Sequence, residues 1–343
     1  MTETVGELGE REVLARVLAQ LGAAGGAVLG PGDDCAVLRF SGDTVVTSDT
    51  MIEGPDFRLA WHDGFDLGWK LAATNLSDVA AMGARPTALT VALAVPHGTP
   101  VGLLERIAAG LDAACRELAP GCGVVGGDLG RAPVVMASVT ALGELDGRRP
   151  VVRSAAQPGD TVAYAGALGL AGLGLSLLFA EAADPDGTAH SRSLPELRRA
   201  HPAALAAQLA PEPPVALGVA AAVAGATAMM DVSDSLSIDA DRLARASGVA
   251  VDLDAQLLED GFGVQQDAAV PIEAMLTGGE DHGLLATFPA SEALPHGFRP
   301  IGVVRSAIGG GGGPVSEAPG VRLNGAPLVP AGWDPYTVRP PGS

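Results

Sequence analysis

Lysine is almost missing from this sequence. Of 21 basic residues among 343, one is a lysine, Lys70, in Gly68-Trp69-Lys70-Leu71. A loop of the form G-x-x-x-x-G-K-[ST] needs its lysine on the nucleotide phosphates, so P-loop chemistry is excluded. Cysteine is scarce too: Cys35, Cys115 and Cys122 lack zinc-like spacing, and the six histidines are scattered. Zinc and other soft-metal sites are therefore not expected, and a reduced, cytoplasmic setting is. The acidic start, Met1-Thr2-Glu3, lacks the positive-then-apolar layout of a signal peptide. No G-x-S-x-G elbow and no H-E-x-x-H helix is present. No basic stripe exists either. The net charge is −19, with acidic residues spread through both halves, which makes nucleic acid a poor partner. Such a chain repels phosphate ligands unless a cation intervenes.

Apolar residues make up 48% and charged residues 18%, enough for a packed core and too apolar for disorder. The length suggests two domains. A boundary is expected in 145–150, around Arg148-Arg149-Pro150, dividing the chain into 1–148 and 149–343. Two uncharged stretches, 161–180 and 213–230, are long enough to span a membrane. The first reads as a strand followed by four spaced glycines. The second opens on Pro213-Pro214 and is mostly Ala and Gly, so neither is read as membrane-spanning. Periodicity predicts helices over 10–21, 67–82, 101–118, 168–182, 203–209, 215–224 and 236–247, the last closed by Gly248. Strands are predicted over 35–40, 44–48, 87–95, 134–142, 161–164, 227–230 and 249–253, with another starting at Val124. Mixed elements in both halves give an α+β fold.

One pattern recurs. Apolar runs end in loops of carboxylates and small residues: Gly32-Asp33-Asp34, Thr47-Ser48-Asp49, Asn75-Leu76-Ser77-Asp78, Gly126-Gly127-Asp128, Asp231-Val232-Ser233-Asp234 and Gly278-Gly279-Glu280-Asp281. Carboxylates converging on one cleft require cations, and oxygen donors of this kind suit Mg²⁺. Each loop also has an ordinary reading. Asp33-Asp34 fits a turn, Asp49 a helix cap, and Ser233 or Asp234 the N-cap of helix 236–247. Asn75 and Asp78 share a helix face that leaves little room for a polar side. Gly121-Cys122-Gly123-Val124-Val125-Gly126 matches G-x-G-x-x-G, but a helix precedes it and a strand follows, the reverse of a dinucleotide fingerprint. Arg153 fits either a surface ion pair or a nucleotide phosphate. Trp333 fits core packing or stacking on a cationic ring.

Taken in order, the segments GPGDDCAV (30–37), TSDTMIEG (47–54), NLSDVAAMGARP (75–86), VVGGDL (124–129), RSAAQPGDTV (153–162), DVSDSL (231–236), GGEDH (278–282) and WDPY (333–336) resemble the thiamine-monophosphate kinase family. That family shares its fold group with aminoimidazole ribonucleotide synthetase, selenophosphate synthetase and the hydrogenase-maturation dehydratase. The resemblance implies a homodimer paired through its N-terminal sheets, with the C-terminal domain covering the cleft. It implies transfer of the ATP γ-phosphate to thiamine monophosphate. Asp34, Thr47, Ser48, Asp49, Asp78, Asp128, Asp231 and Asp234 would then surround several Mg²⁺ ions. Gly127, Asp128, Arg153 and Ser233 would contact ATP, and Asp56, Glu280 and Trp333 the acceptor; no covalent nucleophile or general base is expected. The alternatives are another ATP-dependent synthetase of the group, or a non-catalytic binding homologue. The chain departs from the family pattern at Asp56, commonly His, at Ser235, commonly Gly, at Leu129, commonly Thr, and at His282-Gly283, commonly Tyr-Glu.

Overall fold

In a computed structural model of the chain, the described residues are 3–31, 35–307 and 318–332. The elements run α1 (Val5–Leu8), α2 (Glu10–Leu18), β1 (Ala27–Leu29), β2 (Val37–Leu38), β3 (Thr44–Ile52), α3 (Gly64–Ala81), β4 (Arg85–Val95), α4 (Val101–Leu118), β5 (Val124–Arg131) and β6 (Met136–Glu144). They continue with β7 (Thr161–Ala165), α5 (Leu170–Glu181), α6 (Leu194–Ala200), α7 (Pro202–Leu209), α8 (Val215–Val223), β8 (Ala228–Val232), α9 (Leu236–Ser247), β9 (Val249–Leu253) and α10 (Ala255–Phe262). The last are β10 (Val264–Gln265), β11 (Ala268–Ala269), α11 (Ile272–Thr277), β12 (Gly283–Phe288), β13 (Arg299–Ser306), β14 (Gly320–Leu323) and β15 (Ala326–Pro327).

Two sheets organise the chain. A four-stranded sheet has the order β3-β6-β4-β5, and a seven-stranded sheet the order β15-β14-β9-β13-β7-β12-β8. Pairing is antiparallel except for β4 with β5 and β14 with β9. On β3 the pleat alternates: Thr47, Asp49 and Met51 turn inward, while Ser48, Thr50 and Ile52 turn to the exposed face. Of the predicted strand 35–40 only Val37–Leu38 is strand, as β2 of a two-stranded β1–β2 ribbon.

Helix α3 joins the sheets. It begins at Gly64, after the segment that follows β3, with the Asp63 carboxylate accepting from Asp66 N at 2.9 Å as N-cap. Nearly all of it is buried, including Lys70, Thr74, Asn75 and Ser77. Its apolar residues Leu76 and Val79 belong to one cluster that also takes Val139 from the smaller sheet and Ala163, Met229, Leu284 and Phe288 from the larger. Against α4 it packs backbone to backbone. A Cβ on Gly68 would lie 1.9 Å from the Ile107 carbonyl oxygen, and one on Gly110 2.1 Å from that of Phe65. The two uncharged stretches become β7 with α5, and α8 with β8. Among the described residues no helix is long and apolar enough to cross a membrane.

Candidate active site

Three of the predicted carboxylates come near enough to feel one another's charge. Asp49 comes inward from β3, Asp78 from the last turn of α3, and Asp231 from β8 at the edge of the larger sheet. Thr47 Oγ1 donates to Asp78 Oδ2 at 2.7 Å, and Ser77 Oγ donates to Asp231 Oδ2 at 3.1 Å, so α3 bridges the two strands. Burial, then the charges of Asp231 and Asp49, push the Asp78 carboxyl up to about 7. Asp49 is raised too, by burial first, with Asp231 raising it and His282 opposing. Buried like charges that repel in this way are what a hard divalent cation would relieve, and the donors are all oxygen, so the set fits Mg²⁺. Among the described residues no three His, Cys, Asp or Glu side chains are already gathered tightly enough to hold one ion. Asp49 is mid-strand and caps no helix.

The other predicted residues fall elsewhere. Ser48 turns to the exposed face, where its Oγ donates to Val139 O at 3.1 Å and lies 3.0 Å from Thr140 Oγ1. Asp128 is on β5, at the far edge of the smaller sheet. The register Asp49–Val139–Val91–Gly127 puts three strand spacings, about 14 Å, between the Asp49 and Gly127 positions. Gly127 and Asp128 instead line a cavity of about 280 Å³, with Leu14, Val17, Leu104 and Ile107 among its apolar walls. Asp234 is held in an ion pair by Arg242, at 2.5 Å. Arg153 is exposed; its carbonyl accepts from Ser247 Oγ at 2.9 Å, and among the described residues its guanidinium makes no ion pair. Asp34 and Trp333 lie outside the described residues.

Two motif loops are laced together. Glu280 N donates to Ser233 O at 2.7 Å and His282 N to Val232 O at 3.0 Å. The approach requires Gly279, where a Cβ would lie 2.7 Å from Ser233 O. The N-cap of α9 is Ser235, whose Oγ accepts from Ile238 N at 3.1 Å, and not Ser233 or Asp234. The N–H groups of Ser233, Asp234 and Ser235 all turn to Asp239 Oδ2, at 3.1, 3.1 and 3.3 Å. Asp281 is buried; its carboxylate accepts from Gly169 N and from Ala171 N, anchoring the start of α5.

Beside these loops lies a group with little local signal in the sequence. Lys70, fully buried, pairs with Glu280 Oε1 at 2.9 Å, and Gln208 Nε2 donates to Glu280 Oε2 at 2.6 Å. Asp56 accepts from Ile52 N at 2.8 Å; burial raises its carboxyl, that backbone bond lowers it, and Glu280 raises it further. His282 Nδ1 lies 3.4 Å from Asp231 Oδ2, and that carboxylate outweighs burial to hold the imidazole above its ordinary value. His62 is held down to about 3, by burial and then by Lys70. The unfolded chain therefore binds a proton on His62 below about pH 6.5 that the folded chain refuses. The stability that this neutral imidazole permits is fully present above that pH and is lost as pH falls towards 3. His62→Gln should remove up to about 1.4 kcal/mol per pH unit of acid sensitivity there, read from denaturant melts at pH 6, 5 and 4.

The family model "AIR synthase related protein, N-terminal domain" matches residues 32–145, which span the smaller sheet, so the fold and site define an AIR synthase-related enzyme. Thiamine-monophosphate kinase of Mycobacterium tuberculosis (strain ATCC 25618 / H37Rv) is 39% identical over 307 residues, covering 88% of this chain and 86% of that protein. The crystal structure of thiamine-monophosphate kinase from Stenotrophomonas maltophilia K279a is 30% identical, with a TM-score of 0.70 over 93% of this chain and 96% of that one. The structure of AaThiL complexed with AMPPCP and TMP is 28% identical, with a TM-score of 0.70 over 97% and 99%. The chain belongs to the thiamine-monophosphate kinase family.

Proposed function

We propose that the protein transfers the γ-phosphate of ATP directly to the phosphate of thiamine monophosphate, giving thiamine diphosphate and ADP. The observation that carries this reading is the approach of Asp49, Asp78 and Asp231, contributed by β3, α3 and β8, to within reach of one another's charge. An acceptor oxygen forms the new bond to the γ-phosphorus while the bond to the ADP oxygen breaks. The acceptor is a phosphate monoester with a second pKa near 6, largely ionised at pH 7, so no residue need take its proton. The obstacle is bringing two polyanions into line. Bound Mg²⁺, of which we propose several, supplies charge neutralisation and alignment of the phosphates. Asp49, Asp78 and Asp231 would hold it on one side of the cleft, with Thr47 orienting Asp78.

Gly127 and Asp128 would serve the nucleotide, beside the cavity they line, and form a second position about 14 Å from the first, a span suited to a triphosphate and an acceptor phosphate together. Asp34, Ser48 and Asp234 we propose as further contributors to the metal positions, Arg153 and Ser233 to ATP, and Asp56, Glu280 and Trp333 to the acceptor. A homodimer through the smaller sheet fits its uncovered apolar residues Val46, Ile52 and Met136, exposed by 69, 37 and 37%.

The test is incubation with ATP, Mg²⁺ and thiamine monophosphate. Thiamine diphosphate and ADP in equal amounts are expected. ADP formed only with a different acceptor would identify another synthetase of the fold group, and ATP binding without turnover a binding protein. Asp56→His should change the acceptor KM more than the Mg²⁺ requirement; steady-state kinetics with each varied in turn will show it, and an unchanged acceptor KM removes Asp56 from the site.

A further inference from the structure

The single lysine of the chain sits where a lysine is least comfortable. Lys70 is 0% exposed in the middle of α3, and its ammonium donates to Gln208 O at 2.9 Å and pairs with Glu280 at 2.9 Å. A buried ammonium persists only when paired and hydrogen-bonded. Its partner is fixed as tightly. Glu280 adopts φ +67°, in the left-handed region that a non-glycine side chain rarely enters, and its N–H is tied to Ser233 O. Yet the Glu280 side chain remains 27% exposed, so the pair is fully buried at its lysine end and reachable from outside only at its glutamate end.

The surroundings set the charge. Asp56 feels both Glu280 and Lys70, so two carboxylates share one ammonium. His62, also beside the pair, is neutral, and its Nε2 and the Gln208 Oε1 are buried without a partner among the described residues. The next cations are committed: Arg198 pairs with Asp66 at 2.5 Å, His282 faces Asp231, and the Arg58 guanidinium lies over the Trp61 and Phe179 rings. The formal sum over Glu280, Asp56 and Lys70 is one negative charge, on the partly exposed glutamate side of the pair.

We infer that Lys70 is a positioning residue for the acceptor: from inside the core it holds the Glu280 carboxylate in place, and with Asp56 this group presents one net negative charge to a ligand whose ring is cationic. The inference rests on the proposed function, since the thiazolium ring of thiamine monophosphate is such a cation. A permanent ring charge meeting a fixed, half-buried carboxylate is favoured where the same carboxylate, free to swing into water, would give little.

The experiment measures KM for thiamine monophosphate and for ATP separately, in the wild type, Lys70→Met, Glu280→Gln and Lys70→Met/Glu280→Gln. Lys70→Met and Glu280→Gln should each raise the acceptor KM tenfold or more and leave the ATP KM within twofold. The double variant should match Glu280→Gln, because Lys70 acts through that carboxylate. An acceptor KM unmoved in Lys70→Met, or an ATP KM raised equally, overturns the inference. Should Lys70→Met fail to fold, the double variant, which buries no unpaired charge, decides: a KM equal to that of Glu280→Gln supports the positioning role, and a further tenfold rise contradicts it. Wild-type protein that does not phosphorylate thiamine monophosphate overturns the proposed function together with this inference, whereas active wild type with an unmoved Lys70→Met overturns the inference alone.

Discussion

Asp78→Ala should lose at least about a hundredfold in turnover while melting no lower than the wild type in metal-free buffer. Both halves come from the same geometry. The Asp78 carboxyl is pushed up to about 7 by burial and by Asp231, so its ionised form is a burden on the folded chain without a cation. Removing it relieves that repulsion at the cost of one hydrogen bond from Thr47, worth about 1 kcal/mol. Turnover is another matter. Losing even an outer partner of a metal ligand typically costs about 10–100-fold, and a direct ligand more. Thermal melts without metal and product assays with saturating Mg²⁺ separate the effects. Wild-type turnover in the variant would refute the assignment of Asp78; a melting temperature far below wild type would mean the carboxylate stabilises the fold after all.

Gly68→Ala should be strongly destabilising for so small a change. Its Cβ would fall 1.9 Å from the Ile107 carbonyl oxygen, a backbone atom that no rotamer change can move away. The helices α3 and α4 must then separate, and overpacking costs typically about 1–3 kcal/mol, the upper end being expected where only backbone can give way. For a chain of this size that corresponds to a fall of several degrees in melting temperature. Because α3 carries Lys70, Ser77 and Asp78, the acceptor and metal positions should shift with it, so turnover should drop as well. A melting temperature within a degree of the wild type would show that the helices are not packed backbone to backbone.

Local signals in the sequence carried much of this architecture. Helix α9 and strand β9 fall at the residues the pattern predicts, because Gly248, at φ +68°, marks the turn between them. Strand β4 begins two residues earlier than expected: Pro86 reads as a breaker, but the sheet accommodates it at a register shift between Pro86 and Ala88. The β1–β2 ribbon is too short to show periodicity. At the site, each carboxylate loop is a short-range pattern and so could be found. What joins them is not. The Lys70–Glu280 pair spans 210 residues of chain, and the strands that separate Asp128 from Asp49 depend on sheet order, which neither segment encodes alone. Asp281 sits in a loop that looks ligand-rich in sequence, yet it spends both oxygens on backbone N–H groups.

The claim on which the mechanism rests is that cations collect where Asp49, Asp78 and Asp231 meet, and that the two phosphates are brought together there. Anomalous scattering from crystals grown with Mn²⁺, a non-hydrolysable ATP analogue and thiamine monophosphate tests it directly. Metal peaks bounded by those three carboxylates and touching both ligands' phosphates are the expected result. Phosphates lodged away from them, with no metal between, would contradict it.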